Sequence, residues 1–122
     1  MWFIKDTGSG QKLPPGFPDV SVYTGAKLVS ANKKTTEKGD SYQGIWHSNN
    51  SVLAITDWYI KTIKNSGWTI EILPANAPGS TISYLVAKKS DTVLQLSIVS
   101  QPGTLTEITA DFPVDYGTVS NN

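Results

Sequence analysis

The stretch SVLAITDWYIKTIKNSGWTIEI, Ser51 to Ile72, reads as a helix, a stop and a strand. At about 100° per residue, Val52, Ile55, Tyr59 and Ile63 fall on one stripe, which Leu53 and Ile60 widen. Asp57, Lys61 and Lys64 fall opposite, and the four-residue step from Asp57 to Lys61 suits an ion pair on an exposed helix face. Trp58 sits at the border of the two faces. Asn50 or Ser51 supplies the N-cap oxygen that accepts from the first free backbone N–H groups. Gly67 supplies the left-handed residue that ends the helix. From Trp68 the period changes from 3.6 to two, with Trp68, Ile70 and Ile72 on one face of a strand.

Outward from this unit the same alternation recurs. Downstream, TISYLVAKK alternates Ile82, Tyr84 and Val86; SD is a two-residue turn; TVLQLSIVS alternates Leu94, Leu96 and Ile98; QPG turns; and TLTEITADF alternates Thr106, Ile108, Ala110 and Phe112. Four strands joined by short turns predict an antiparallel meander. Upstream, AKLVSA and DSYQGIWHS read as two strands around a polar turn, NKKTTEKGD. The expected fold is therefore α+β: a single antiparallel sheet in the order β-β-α-β-β-β-β, with one helix packed across one face. Residues 1–25 form an extended Gly/Pro-rich lead-in, in which Pro14, Pro15 and Pro18 fix φ. Residues 26–112 form the single α+β domain, and residues 113–122 a flexible tail. TLTEITADF, last in the chain, is expected at a sheet edge, where unpaired backbone groups would admit a protein partner.

Composition narrows the chemistry. The chain has 122 residues, enough for one core. Ten Lys balance ten acidic residues and there is no Arg, so neither a long-range field nor a bidentate phosphate or guanine reader is present, and no nucleic acid is expected as a partner. The doublets Lys33-Lys34 and Lys88-Lys89 fall where turns are expected and read as solvated loop charge. There is no Cys, which removes disulfides, thiolate catalysis and Cys-based zinc sites. No apolar run is long enough to span a bilayer, so membrane association is expected only through an anchor upstream of residue 1. The opening MWFI is too short for a signal-peptide core.

His47 is the single His, at the end of a strand. A general base there needs a nucleophile and an orienting carboxylate, and Asp57 lies on the wrong face. A histidine hydrogen-bonded near the helix start is the expected reading. Gly8–Gly10 precede no helix and form no phosphate loop, and Asp111 with Asp115 are too few for a hard cation. No cofactor and no metal are expected, and the chain reads as a non-enzyme. Aromatics are the one enriched class: Trp46, Trp58 and Trp68, with Tyr42, Tyr59 and Tyr84, gather around the helix, mostly as core. Trp58, half exposed, with His47 and Trp46 near it, is the candidate binding site.

LPPGFPDVSVYTGAKLV followed by VLAITDWYIKTIKNSGWTI resembles a loose group of bacterial exported or lipoprotein-anchored small domains of unknown function. That group carries a P-x-x-P-x-Y-x-G-A lead-in, a D-W-Y helix and a G-W stop. The likeness runs over about Leu13 to Ile72, with a lead-in here one residue longer. It implies an extracytoplasmic location, periplasmic or at the cell surface, with a membrane tether. It further implies a non-catalytic interaction or structural module near the envelope. The alternative is a small-ligand domain that takes glycan or peptide on the aromatics around Trp58.

Overall fold

The structure, a computed structural model, describes residues 13–74, 77–103 and 105–114. MWFI, the Gly8–Gly10 run, Asp115 and the final GTVSNN lie outside the described residues. Among the described residues six strands and one helix follow in the order β1 (Lys27–Thr36), β2 (Gly39–Ser48), α1 (Val52–Asn65), β3 (Thr69–Ile72), β4 (Ile82–Lys89), β5 (Thr92–Ser100) and β6 (Thr106–Phe112). All pairings are antiparallel, and the sheet order is β1-β2-β6-β5-β4-β3. The α+β architecture expected from periodicity is the one observed.

The helix forms as its sequence directs. Ser51 is the N-cap, with Oγ accepting from the Ala54 N–H at 3.1 Å. At the other end Trp68 N–H donates to Ile63 O (3.2 Å) and Gly67 N–H to Lys64 O (3.4 Å), the two bonds of a Schellman turn. Gly67 carries the φ of +91° that this turn requires. Lys89 reaches across from β4 to donate to Ser66 O at 2.9 Å, a cation at the negative end of the helix dipole. Val52, Ile55, Tyr59 and Ile63 are all buried, and Asp57 pairs with Lys61 at 3.3 Å on the open side.

Several expectations are corrected. The segment NKKTTEKGD is not a turn: β1 runs on to Thr36 and only Glu37 and Lys38 separate the two strands. This arm projects past the core, so it has no apolar alternation. Cross-strand pairing holds it, including Lys33 with Asp40 at 3.6 Å and Thr36 Oγ1 donating to Gly39 O at 3.0 Å. Both Lys doublets accordingly lie on strands. In β4 the buried set is Ser83, Leu85 and Ala87, while Ile82 and Tyr84 are exposed, so the expected face is reversed and Tyr84 lies away from the helix. This strand has apolar residues on both faces, so its phase is set by register, with Leu85 opposite Leu96 and Ala87 opposite Leu94. A register break between Ile70 and Ile72 leaves Ile72 exposed. TLTEITADF is not at an edge: β6 sits between β2 and β5, because the N-terminal hairpin closes onto the last strand, and the edges are β1 and β3.

The core lies on one face of this sheet. The helix packs on β3, β4 and β5. The part of that face on β2 and β6 is covered by the lead-in, whose Phe17, Val20 and Tyr23 pack against the buried cluster.

Candidate functional site

Three regions hold the residues with chemical potential. The first is the aromatic slot under the lead-in. Trp46 from β2 and Phe112 from β6 are buried, and Tyr42 is half-buried beside them. Phe17 enters this cluster with its ring edge-on to all three, at 5.7 Å from Tyr42, 6.4 Å from Trp46 and 5.4 Å from Phe112. Gly44 forms the floor: a Cβ there would lie 2.5 Å from the Trp46 ring and 3.1 Å from Phe17, so the slot exists because residue 44 has no side chain. The lead-in is tied down further along, where Tyr23 N–H donates to Tyr59 Oη at 3.2 Å and Asn50 Nδ2 donates to Tyr23 Oη.

The second region is Trp58. It is half-buried, and two rings stand edge-on against it, Tyr23 at 5.3 Å and Tyr59 at 4.9 Å. Trp58 therefore joins the lead-in to the helix, with a part of its ring open to a partner. Desolvation by burial pushes the neighbouring Tyr59 hydroxyl up to about 12, against the lesser opposing pull of the backbone bond from Tyr23.

The third region is the open face of the sheet. His47 projects there, with Nε2 donating to Glu107 Oε1 at 3.1 Å across the β2–β6 pair. The expected bond near the helix start is thus replaced by a cross-strand one. Sequence reasoning missed Glu107 as the partner, since 60 residues separate the two. Further along the same face is an open cleft of about 510 Å³, lined by residues that include Asn32, Lys34, Gln43, Gln95 and Asp111. Gln43 Nε2 donates to Asp111 Oδ1 at 2.8 Å.

The expected trio does not converge. Trp46 and His47 are neighbours in β2 and point to opposite faces of the sheet, as the pleat requires. Trp58 is on the helix, on the same side of the sheet as Trp46. His47 has its carboxylate, but the residues facing it across the register are Lys27 and Glu107, which supply no hydroxyl or thiol nucleophile. Among the described residues no three His, Cys, Asp or Glu side chains gather in a way that could hold a metal ion. Two buried hydroxyls that the sequence did not flag, Thr56 Oγ1 on the helix and Ser83 Oγ on β4, have no hydrogen-bond partner among the described residues.

The family model described as START domain-like matches residues 28–104, well over half of the chain and beginning just after the lead-in. Among solved structures the chain is similar to CalU16 from Micromonospora echinospora, at 8% identity over 80% of this chain and 74% of that one, with a TM-score of 0.36. No curated protein matches it.

Proposed function

The chain belongs to the START domain-like family, and on that premise we propose that it is a non-catalytic domain that binds a small apolar molecule between its sheet and its cover. The observation that carries this reading is the slot around Phe17. It is formed by Tyr42, Trp46 and Phe112 over a glycine floor, and its present occupant comes from the lead-in, outside the residues that match the family. An apolar or ring-bearing molecule that replaced Phe17 would meet the same three rings, and the lead-in would lift or shift to admit it. The pair His47–Glu107 lies on the other face of the sheet and takes no part. An extracytoplasmic, envelope-tethered setting goes with this proposal through the sequence resemblance.

The test uses the intrinsic fluorescence of Trp46, which borders the slot. Titration of the wild-type chain with a medium-chain fatty acid or an apolar aromatic probe is expected to change its emission in a saturable way. Phe17→Ala, which vacates the slot, is expected to bind the same probe more tightly. Uptake by Phe17→Ala alone would reduce the slot to an engineered cavity, since emptied apolar cavities take up small aromatics regardless of function, and would sink the reading.

A second reading, an interaction module, is favoured by one other observation. Ile72, Leu73, Ile82 and Tyr84 are all exposed at the β3 side of the sheet, where β3 is a short edge strand. An extended segment of a protein partner could add to that edge and cover the apolar side chains. Ile82→Lys, on the solvent side, should abolish co-purification of such a partner and leave probe binding in the slot unchanged.

A further inference from the structure

The open face of the sheet carries an independent feature. The register places Asn32 of β1 opposite Gln43 of β2, Gln43 opposite Asp111 of β6, and Asp111 opposite Gln95 of β5. Directly paired residues share a face, so four hydrogen-bonding side chains stand in one row across four adjacent strands. Neighbouring strands are about 4.8 Å apart, so the row is about 14 Å long. It forms the base of the 510 Å³ cleft, with Pro113 and Val114 as an apolar wall.

The chemistry of this row is specific. Three of its four members, Asn32, Gln43 and Gln95, are primary amides, and each amide offers both a donor and an acceptor. Gln43 Nε2 donates to Asp111 Oδ1, which fixes both side chains and leaves the Gln43 carbonyl and the second Asp111 oxygen as acceptors. Asn32 and Gln95 have no side-chain hydrogen-bond partner among the described residues. The cleft holds one cation, Lys34, and one carboxylate, Asp111, so its formal charge is balanced. A polyanion would meet too little positive charge, and a metal ion too few ligands. A purely apolar molecule would leave the amides unpaired, at a cost for each group that loses its water.

We propose that this cleft is a second binding site, for a neutral, hydroxyl-rich small molecule, a saccharide by chemical class. Alternating donors and acceptors match hydroxyl groups, each of which gives one hydrogen bond and accepts others. The C–H faces of such a molecule would rest on Pro113 and Val114. This site is on the opposite side of the sheet from the Phe17 slot and does not depend on it.

The test is a titration of the full chain, followed by NMR of side-chain amide resonances. The probes are glucose, N-acetylglucosamine and maltose, with inorganic phosphate and a short uncharged peptide as comparators. Saturable shifts of the Asn32, Gln43 and Gln95 amides with at least one saccharide are expected. Asp111→Asn and Gln95→Ala, both on the solvent side and checked for an unchanged backbone spectrum, should each weaken that binding at least tenfold. The proposal is overturned by the absence of shifts with all three saccharides, by a response to phosphate or peptide alone, or by saccharide binding that either variant leaves within tenfold of wild type. Because fatty-acid uptake reports on the Phe17 slot, failure of one site is distinguishable from failure of the other.

Discussion

The two halves of the core face are closed in different ways. Over β3, β4 and β5 the cover is α1, a 14-residue helix whose capping groups, buried stripe and C-terminal turn are all internal to one stretch of chain. Over β2 and β6 the cover is the lead-in, which is not a regular element and is fastened at separate points: Phe17 among three rings, Tyr23 against Trp58, and two hydrogen bonds around the Tyr23–Tyr59–Asn50 contact. A helix satisfies its own backbone and can spread its burial over several turns. An extended cover cannot, so each anchor matters singly, and independent opening of this segment is an expectation that amide exchange can test. The contrast teaches that one half of the core is closed by a self-contained element, while the other is closed by a segment that depends on a few separate anchors.

Tyr59 belongs to both halves and should give the largest effect. Tyr59→Ala removes a fully buried ring and the acceptor for the Tyr23 amide, and is expected to cost about 3 kcal/mol or more in chemical denaturation. A loss below about 1 kcal/mol would mean that the halves are not joined there.

An alkaline titration sharpens the same point. The Tyr59 hydroxyl titrates near 12 in the folded chain against 10 unfolded, so the folded state holds this proton more tightly. The corresponding stability is fully present below pH 10 and is lost as pH rises from 10 towards 12, by about 2 to 3 kcal/mol at most. Tyr59→Phe should flatten that part of the stability profile relative to wild type, and an unchanged difference between the two would refute the assignment.

Phe17→Ala tests the extended cover directly. It should cost about 2 kcal/mol, less than a fully buried ring because Phe17 is only half-buried. It should also speed amide exchange at Tyr23 and Ala26 far more than in α1. Equal acceleration in both would erase the distinction between the two halves. At the helix itself, Ser51→Ala should lower stability by about 1 kcal/mol through loss of the cap to Ala54. The smallest effect is expected at Thr56→Val, which swaps an unpaired buried hydroxyl for a methyl of similar shape. The change in midpoint should be neutral or slightly upward, by up to about 1 kcal/mol.

Sequence periodicity made the helix, its caps and the meander legible because those signals are local: a 3.6-residue stripe, a serine before it, a glycine after it. The faces of β5 and β6 were legible for the same reason, with Leu94, Leu96 and Ile98, and then Ile108, Ala110 and Phe112, all buried. Reading failed where local signals were absent or doubled. The polar arm Asn32–Thr36 has no apolar period, so its strand was invisible. Strand β4 has apolar residues on both faces, so its phase was ambiguous until Leu85 met Leu96.

Taken alone, then, the residues determined one helix, a meander, an α+β class and the absence of Cys- and Arg-based chemistry from this chain. The tertiary structure alone placed β6 in the middle of the sheet, set Phe17 among Tyr42, Trp46 and Phe112, paired His47 with Glu107, and lined up Asn32, Gln43, Asp111 and Gln95. Each of these joins residues distant in the sequence through strand order and register. A period of two states which residues share a face of one strand, but carries no information on which strand lies beside it.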